Sequence, residues 1–569
     1  MHTHKHKKYL AIIIITIFTI IMVFPFLLIK QLGVCSDWSF HAARVQQLYL
    51  NLQKGHLFTY IATDTFSKIG NANFLFYPTV FLYPWVLLKF IFSPVTAYLI
   101  YVWLLFLATG LIAFYAMYSF TNGKTRQSLF FAIIYLTAPY HLYLTLTNYV
   151  LGEAQAYTFI PLVLLGIWNI LYRNGWITLA VAMTLMAYSH YVSTFISFEV
   201  CLLILICYLI QNHKIELHKF TALFKSVCLF FLLSSWQFIP LFTDYLHGNL
   251  MLPASGFMAV QSAGDFFTTA ISNNATNQGG IGILLLMTLM FGWLFIEKES
   301  KYMWIYLLGL VITWMITAAF PWQYFAKTPL SIIQFPYRYT SYAIVFLAII
   351  SAKILSELKY PSINNNVTEC AILLLLVFLF TGSIYSDIAR NKNIGNTVSV
   401  LKEARKGKYK PLRDASDGPL IVTNESYNNQ FSYGALYGET DYMPTSAFKN
   451  LYSVFNRVVL INGKDTTVYQ KSSPNKLTYT LHVNNNSIVN LPALAYRHTI
   501  VTVNGKIVKS SISNRGTVQL SLEKGKYYIG ISYKPVKMLI VARLIALIGW
   551  IAIVLNSVLK YFEIGVKQR

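Results

Sequence analysis

Through the first two thirds of the chain, long apolar runs are separated by short polar breaks; from about residue 386 to 535 apolar residues alternate with polar ones, and one more long apolar run follows. Runs of roughly 17–25 apolar residues match helices that cross a hydrocarbon core of about 30 Å, whereas single alternation matches half-buried strands. The runs predict about 12 transmembrane helices, at 9–30, 96–119, 128–147, 157–172, 175–190, 194–211, 222–240, 281–296, 304–319, 332–355, 367–385 and 537–558. The expected fold class is a polytopic α-helical membrane protein with a C-terminal extracytoplasmic β-rich domain. The first run follows a basic cap but is too long for a signal peptide and lacks a small-residue cleavage site, so it reads as a retained span.

Basic residues near span ends collect on the cytoplasmic side, and this rule sets the topology. A full crossing at 74–92 would put the basic loop 124–126 outside and invert every later basic loop. That segment, broken by Pro78 and Pro84, is therefore expected to be re-entrant or to lie at the interface. Both termini are then cytoplasmic. The outer face carries the first outer loop 31–95, the turn 148–156, the loops 241–280 and 320–331, and the domain 386–535. Accordingly the chain divides into a membrane domain 1–385, a β-sandwich-like unit 386–535, and a final helix with tail 536–569.

Within the β-rich unit, Asn504-Gly505 between Thr499–Val503 and Lys506–Val508 is a type I′ hairpin signal. Lys476–Val483 reads as a strand. The runs Thr517–Leu522 and 527–533, around Lys524-Gly525, read as a second hairpin.

Composition agrees with the bilayer as main solvent, since 56% of the residues are hydrophobic and 12% are charged, against about 25% charged in soluble domains. The net charge of +24 is scattered through loops and the β-rich unit, with no single stripe; no nucleic acid is implied, and anionic lipid or polymer is the expected partner. Cys201, Cys207, Cys228 and Cys370 fall in apolar runs, leaving Cys35 alone near water, and no disulfide is predicted. His2, His4 and His6 alternate on a short basic tail and are not assigned a metal.

Three polar islands could carry chemistry. The first outer loop opens with Asp37-Trp38-Ser39-Phe40-His41-Ala42-Ala43-Arg44. On a helix Asp37, His41 and Arg44 share a face; such a trio could deprotonate a hydroxyl and neutralise a phosphate, or simply be the wet face of a juxtamembrane helix. Tyr140 and His141 form part of a second island that ends at Glu153, an acid at the mouth of a span, where a carboxylate needs a cavity or a partner unless it is a solvated helix start. Arg338, in Gln334-Phe335-Pro336-Tyr337-Arg338, could hold a phosphate or a carboxylate such as Glu153, or snorkel to the interface. Glu199, inside the sixth span, is open to a function or to pairing with a neighbouring helix.

With these islands in view, the chain resembles the bacterial YfhO-like membrane proteins and the neighbouring family labelled 6-pyruvoyl-tetrahydropterin synthase-related, both similar to glycosyltransferases of the GT-C fold. The resemblance rests on 37–45, Phe76-Tyr77-Pro78, Leu82-Tyr83-Pro84, Ala138-Pro139-Tyr140, Gly152-Glu153 with 159–162, 334–338, Asp441-Tyr442-Met443-Pro444 and Val503-Asn504-Gly505-Lys506. It implies a GT-C-like membrane domain in the bacterial cytoplasmic membrane. The implied reaction moves a sugar from a polyprenyl-phosphate donor to a cell-envelope glycopolymer, such as a teichoic acid, or to a glycolipid. Asp37 matches the position of the expected base. The resulting assignment has Asp37, His41 and Glu153 catalytic, and Arg44, Tyr140, His141 and Arg338 binding substrate. A divalent cation stays open as a cofactor and none is assigned. The rival readings are a flippase or transporter of a lipid-linked glycan and a noncatalytic envelope assembly protein. A transporter should show internal repeats, and none is found.

Overall fold

The computed structural model describes residues 2–251, 256–358, 365–393, 412–413, 420–432, 434–435 and 438–567. The expected stretch 394–411 at the start of the β-rich unit, and the side chains of His2 and His4, lie outside the described residues.

Among those residues, seven helices are long and apolar enough to cross a membrane, or up to nine if each of two bent pairs is one span, and three shorter apolar helices of 10–17 residues accompany them. Each of the expected span positions carries one of these helices or bent pairs. In chain order the first are α1 (His2–Ile29), α2 (Trp38–Gln53), α3 (Asn73–Phe76), α4 (Tyr83–Leu88) and α5 (Pro94–Phe120). The bundle continues through α6 (Thr125–Leu136), α7 (Pro139–Leu142), α8 (Leu151–Tyr157), α9 (Ile160–Arg173), α10 (Ile177–Ala187), α11 (Tyr191–Asn212) and α12 (Leu217–Pro240). After α13 (Ala263–Ser272) come α14 (Ile283–Phe291), α15 (Lys301–Ile316), α16 (Thr340–Glu357) and α17 (Asn365–Asn393); a last helix, α18, is Lys537–Lys567. Both bends have a proline at the start of the second helix or piece: α6 and the stretch Pro139–Thr147 meet at 49°, and α8 and α9 at 41°. Pro139 and Pro161 lack the N–H that would continue the ladder.

Residues 73–92 contain no helix longer than α4, whose six residues begin beside Pro84. They form a folded plug against α2, α5 and α12. Trp85 and Phe76 in this plug are buried.

The segment after α1 is tied to the C-terminal part of the chain. Strand β1 (Gln31–Val34) pairs antiparallel with β3 (Leu420–Thr423), from Gln31 opposite Thr423 to Val34 opposite Leu420. Between them in the chain lies β2 (Leu412–Arg413), which pairs in parallel with β4 (Gly434–Ala435). The Trp38 indole donates to Gln430 Oε1 at 2.6 Å, and Asn475 caps the Tyr60 amide at 2.6 Å. These bonds put the loop after α1 and the strand-rich region on one face of the bundle.

That region is a sandwich of two five-stranded sheets, ordered β11-β10-β14-β8-β7 and β12-β13-β9-β5-β6. The strands are β5 (Val459–Ile461), β6 (Lys464–Thr466), β7 (Tyr469–Ser473), β8 (Lys476–Val483), β9 (Ser487–Leu494), β10 (Thr499–Val503), β11 (Lys506–Val508), β12 (Ser511–Ile512), β13 (Thr517–Leu522) and β14 (Gly525–Tyr533). Leu477, Tyr479, Leu481, Val489, Leu491, Val501, Leu520 and Ile529 fill the layer between the sheets. The β10–β11 hairpin forms, with Val503 opposite Lys506. Its turn places Asn504 at φ 51° and Gly505 at φ 84°, the positive-φ pair that a type I′ turn requires.

The expected second hairpin does not form. Strand β13 pairs with β9 and β12, whereas β14 pairs with β8 and β10 in the opposite sheet. The Lys524-Gly525 connection therefore crosses the sandwich. Both strands still bury alternate residues in the same core, so their patterning is that of a hairpin although their partners are not.

Candidate functional site

Asp37 occupies the N-cap of α2 without making a side-chain bond to the helix's first turn. The helix N-terminus favours negative charge there, and Ser36 Oγ donates to Asp37 Oδ1 at 3.4 Å. One and two turns on, His41 and Arg44 are buried, along with the residues around them on every side of the helix, Phe40, Ala42, Ala43 and Val45. The Arg44 Nη2 donates to the carbonyls of Tyr77 at 3.0 Å and Pro78 at 2.7 Å, and its guanidinium lies 5.0 Å from the ring centres of Phe40 and Tyr77. It therefore locks the proline turn of the plug to α2. Its Nε and Nη1, and both ring nitrogens of His41, are buried with no hydrogen-bond partner among the described residues.

Burial pulls the Arg44 guanidinium down to about 10, which leaves it cationic at neutral pH. Burial first, and then the charges of Arg44 and His190, hold the His41 imidazole well below its usual range. His41 is therefore neutral at pH 7, with one nitrogen able to donate and the other to accept.

A second group comes from the bundle. Glu153, in the first turn of α8, is 3% exposed. It accepts from Tyr140 Oη at 2.7 Å and from Ser341 Oγ at 3.4 Å, and its Oε2 lies 3.7 Å from Arg338 Nε. The Arg338 Nη1 is anchored on Ile333 O at 2.8 Å and Gln334 Oε1 at 3.0 Å. The backbone between Tyr140 and Glu153 includes a π-helical turn, Tyr143–Thr147, and a positive φ of 57° at Tyr149. Irregular turns of this kind re-aim side chains and are frequent at functional sites.

Tyr77 joins the two groups. Its phenol is within electrostatic reach of Asp37, Arg44, Arg338 and Glu153, and burial together with the carboxylate charges raises it above its ordinary value. A Cβ on Gly152 would stand 2.2 Å from Tyr77 Oη and 3.2 Å from His190 Cδ2, so the absence of a side chain at Gly152 lets the plug seat against α8. The ring of Tyr77 is 5.8 Å from that of His41 and 6.1 Å from that of His190.

A third carboxyl arrives from the strand-rich side. Asp441 is pushed up to about 7, chiefly by burial and further by the charge of Asp37. The backbone carbonyl of Asp441 accepts from Asn71 at 3.3 Å, which ties this turn to the loop after α2. Sequence reasoning gave Asp441, Tyr77 and His190 no role. Asp441 and Tyr77 stand in recognisable motifs, but no local spacing connects them to Asp37.

The structure thus gathers Asp37, His41, Arg44, Tyr140, Glu153 and Arg338 at one mouth. His141 is not gathered there. It follows Tyr140 on the same helical turn, so its side chain points about 100° away; its ring stacks on Tyr157 at 4.3 Å and its Nδ1 is 2.8 Å from Leu136 O. Glu199 is taken up by Tyr339, whose hydroxyl donates at 2.8 Å.

A family model described as a 6-pyruvoyl-tetrahydropterin synthase related domain, membrane protein, matches residues 74–388. Among solved structures, the crystal structure of ArnT from Cupriavidus metallidurans in the apo state is similar, with a TM-score of 0.48 and 11% identity, covering 76% of this chain and 89% of that one. No curated protein matches.

Proposed function

From the premise that the chain belongs to the 6-pyruvoyl-tetrahydropterin synthase-related family of membrane proteins, we propose that it is a GT-C type glycosyltransferase. It moves a sugar, on the extracytoplasmic side of the bacterial cytoplasmic membrane, from a polyprenyl-phosphate carrier to a cell-envelope glycopolymer or glycolipid. The observation that carries this reading is the convergence of two acids and two guanidinium groups, from three separate segments, around the single phenol of Tyr77.

The chemistry needs both signs of charge. An acceptor hydroxyl attacks the anomeric carbon and loses its proton to Asp37 as the new C–O bond forms. The bond from that carbon to the phosphate oxygen breaks, and the polyprenyl phosphate departs with the electron pair. Fixed cations must meet the charge that develops on it. Arg44 offers two N–H-bearing nitrogens not committed to protein acceptors, and Arg338 offers a second guanidinium. Glu153, held by Tyr140 and Arg338, orients Arg338 and bounds the acceptor side. Neutral His41 lies beside Tyr77, where it can share a hydrogen bond with a bound phosphate without adding charge.

One feature favours an enzyme over a transporter or an assembly protein: the buried nitrogens of Arg44 and His41 without protein acceptors, on the helix that Asp37 begins. The test is transfer of radiolabelled sugar from polyprenyl-phosphate sugar in membranes containing the wild type or Asp37→Asn. General base catalysis contributes about 10²- to 10⁴-fold, so turnover should fall by that order at unchanged expression. Near-normal transfer by the variant would reject the base.

A further inference from the structure

The opposite end of the bundle carries a separate feature. Between α5, α9, α11, α15 and α16 lies a slot of about 110 Å³, with Phe120, Leu165, Trp168, Ile204, Leu308 and Phe346 among its walls. The volume would hold several waters, yet the walls offer them few partners. At its rim stands Lys301, with Nζ 4.1 Å from the ring centre of Phe120 and 5.1 Å from that of Trp168.

Lys301 is not alone there: the charges of Arg173 and Lys124 are both close enough to act on it. Arg173 spends its donors on neutral acceptors, Ser119 Oγ at 3.1 Å, Ser119 O at 2.8 Å and Asn122 Oδ1 at 2.6 Å. None of the three cations has a carboxylate within 4.0 Å among the described residues. Three like charges of which none is paired call for an anion, and the apolar slot beside them calls for a hydrocarbon chain on that anion.

Location narrows the choice. Glu153 and Arg173 sit near the two ends of the α8–α9 pair, up to about 30 Å apart at 1.5 Å per residue, so this rim lies at the far headgroup layer from the acidic mouth. The positive-inside rule assigns it to the cytoplasmic leaflet. That leaflet is rich in anionic phospholipids, and basic pockets between helices on that side recognise their headgroups.

We propose that this site binds one anionic glycerophospholipid, its phosphate on Lys301 with Lys124 and Arg173 beside it, and a short segment of one acyl chain in the slot, the rest of that chain trailing into the bilayer. The aromatic rings of Phe120 and Trp168 hold the ammonium at headgroup depth, and the occupied slot braces α9 against α15. The site is independent of sugar transfer and stands or falls separately from it.

The test uses the purified full chain in neutral detergent, with thermal unfolding and native mass spectrometry as readouts. Dioleoylphosphatidylglycerol should raise the melting temperature and remain as a one-to-one adduct, whereas dioleoylphosphatidylcholine and glycerol 3-phosphate should not. Lys301→Gln should weaken phosphatidylglycerol binding about fivefold, the worth of one basic group at a membrane surface, and Lys301→Arg should restore it. Leu165→Trp, which fills the slot, should weaken it with all three cations present. Equal protection by phosphatidylcholine or by glycerol 3-phosphate would overturn the proposal. So would tighter binding of a polyprenyl phosphate, or unchanged phosphatidylglycerol affinity in both Lys301→Gln and Leu165→Trp.

Discussion

Arg338 and Glu153 meet across the mouth of the bundle, with the guanidinium Nε 3.7 Å from the carboxylate Oε2 and both side chains largely hidden from solvent. Each is also held by neutral partners, Tyr140 and Ser341 on Glu153 and Gln334 on Arg338. Removing one charge strands the other, at a cost of about 3–5 kcal/mol for a buried pair. Arg338→Gln should therefore lower the thermal midpoint clearly. The double variant Arg338→Gln with Glu153→Gln should recover part of that loss, with a coupling of about 0.5–3 kcal/mol in a double-mutant cycle. Additive losses would show that the two do not interact.

The close approach at Gly152 yields a suppressor test. A methyl at Gly152 would lie 2.2 Å from the hydroxyl of Tyr77, a distance that forces the plug to move. Gly152→Ala should reduce transfer by about 10²-fold, as misplacement of roughly 1 Å does. Adding Tyr77→Phe removes the clashing oxygen and should return part of the activity. A double variant no better than Gly152→Ala would place the damage elsewhere.

The spans were legible because length against bilayer thickness is a strong constraint, and the bends at Pro139 and Pro161 follow from proline chemistry. Strand identity in the sandwich was legible for the same kind of reason: Leu477, Val501, Leu520 and Ile529 alternate inward as the pattern predicts. Pairing was not. Alternation states which way Leu520 and Ile529 point, and two strands facing each other across a core satisfy it as well as two neighbours in a sheet, which is why the β13–β14 connection reads as a hairpin. At the mouth, the helical spacing of Asp37, His41 and Arg44 places them on one face of α2. Nothing local announces Asp441 or Tyr77 as their neighbours, because tertiary docking of the strand-rich region and of the plug brings them there.

That docking has its own anchor. The buried Asp244 accepts from Tyr533 Oη at 3.0 Å and Thr243 Oγ1 at 2.8 Å, and its Oδ1 is 2.9 Å from His498 Nδ1. Beside it Arg497 donates to Thr243 O at 3.1 Å. Asp244→Ala leaves buried donors without an acceptor, which costs about 1–3 kcal/mol. The expected outcome is a lower melting temperature and faster trypsin cleavage within 438–535, and Asp244→Asn, which keeps one acceptor oxygen, should fall between. Unchanged proteolysis in Asp244→Ala would show that this contact does not hold the sandwich to the bundle.

Asp441 predicts the pH response of the mouth. Its carboxyl is raised from an ordinary 3.8 to about 7, by burial first and by the Asp37 carboxylate second. The folded state therefore binds this proton more tightly than the unfolded chain, so the associated stability is fully present below about pH 4 and is lost as pH rises through 7. In thermal unfolding followed from pH 4 to pH 8, Asp441→Asn should flatten the part of the decline that belongs to this group. Asp37→Asn removes the repelling charge and should move the same decline to lower pH without abolishing it. An unchanged pH dependence of stability in Asp441→Asn would remove Asp441 from the electrostatics of this mouth.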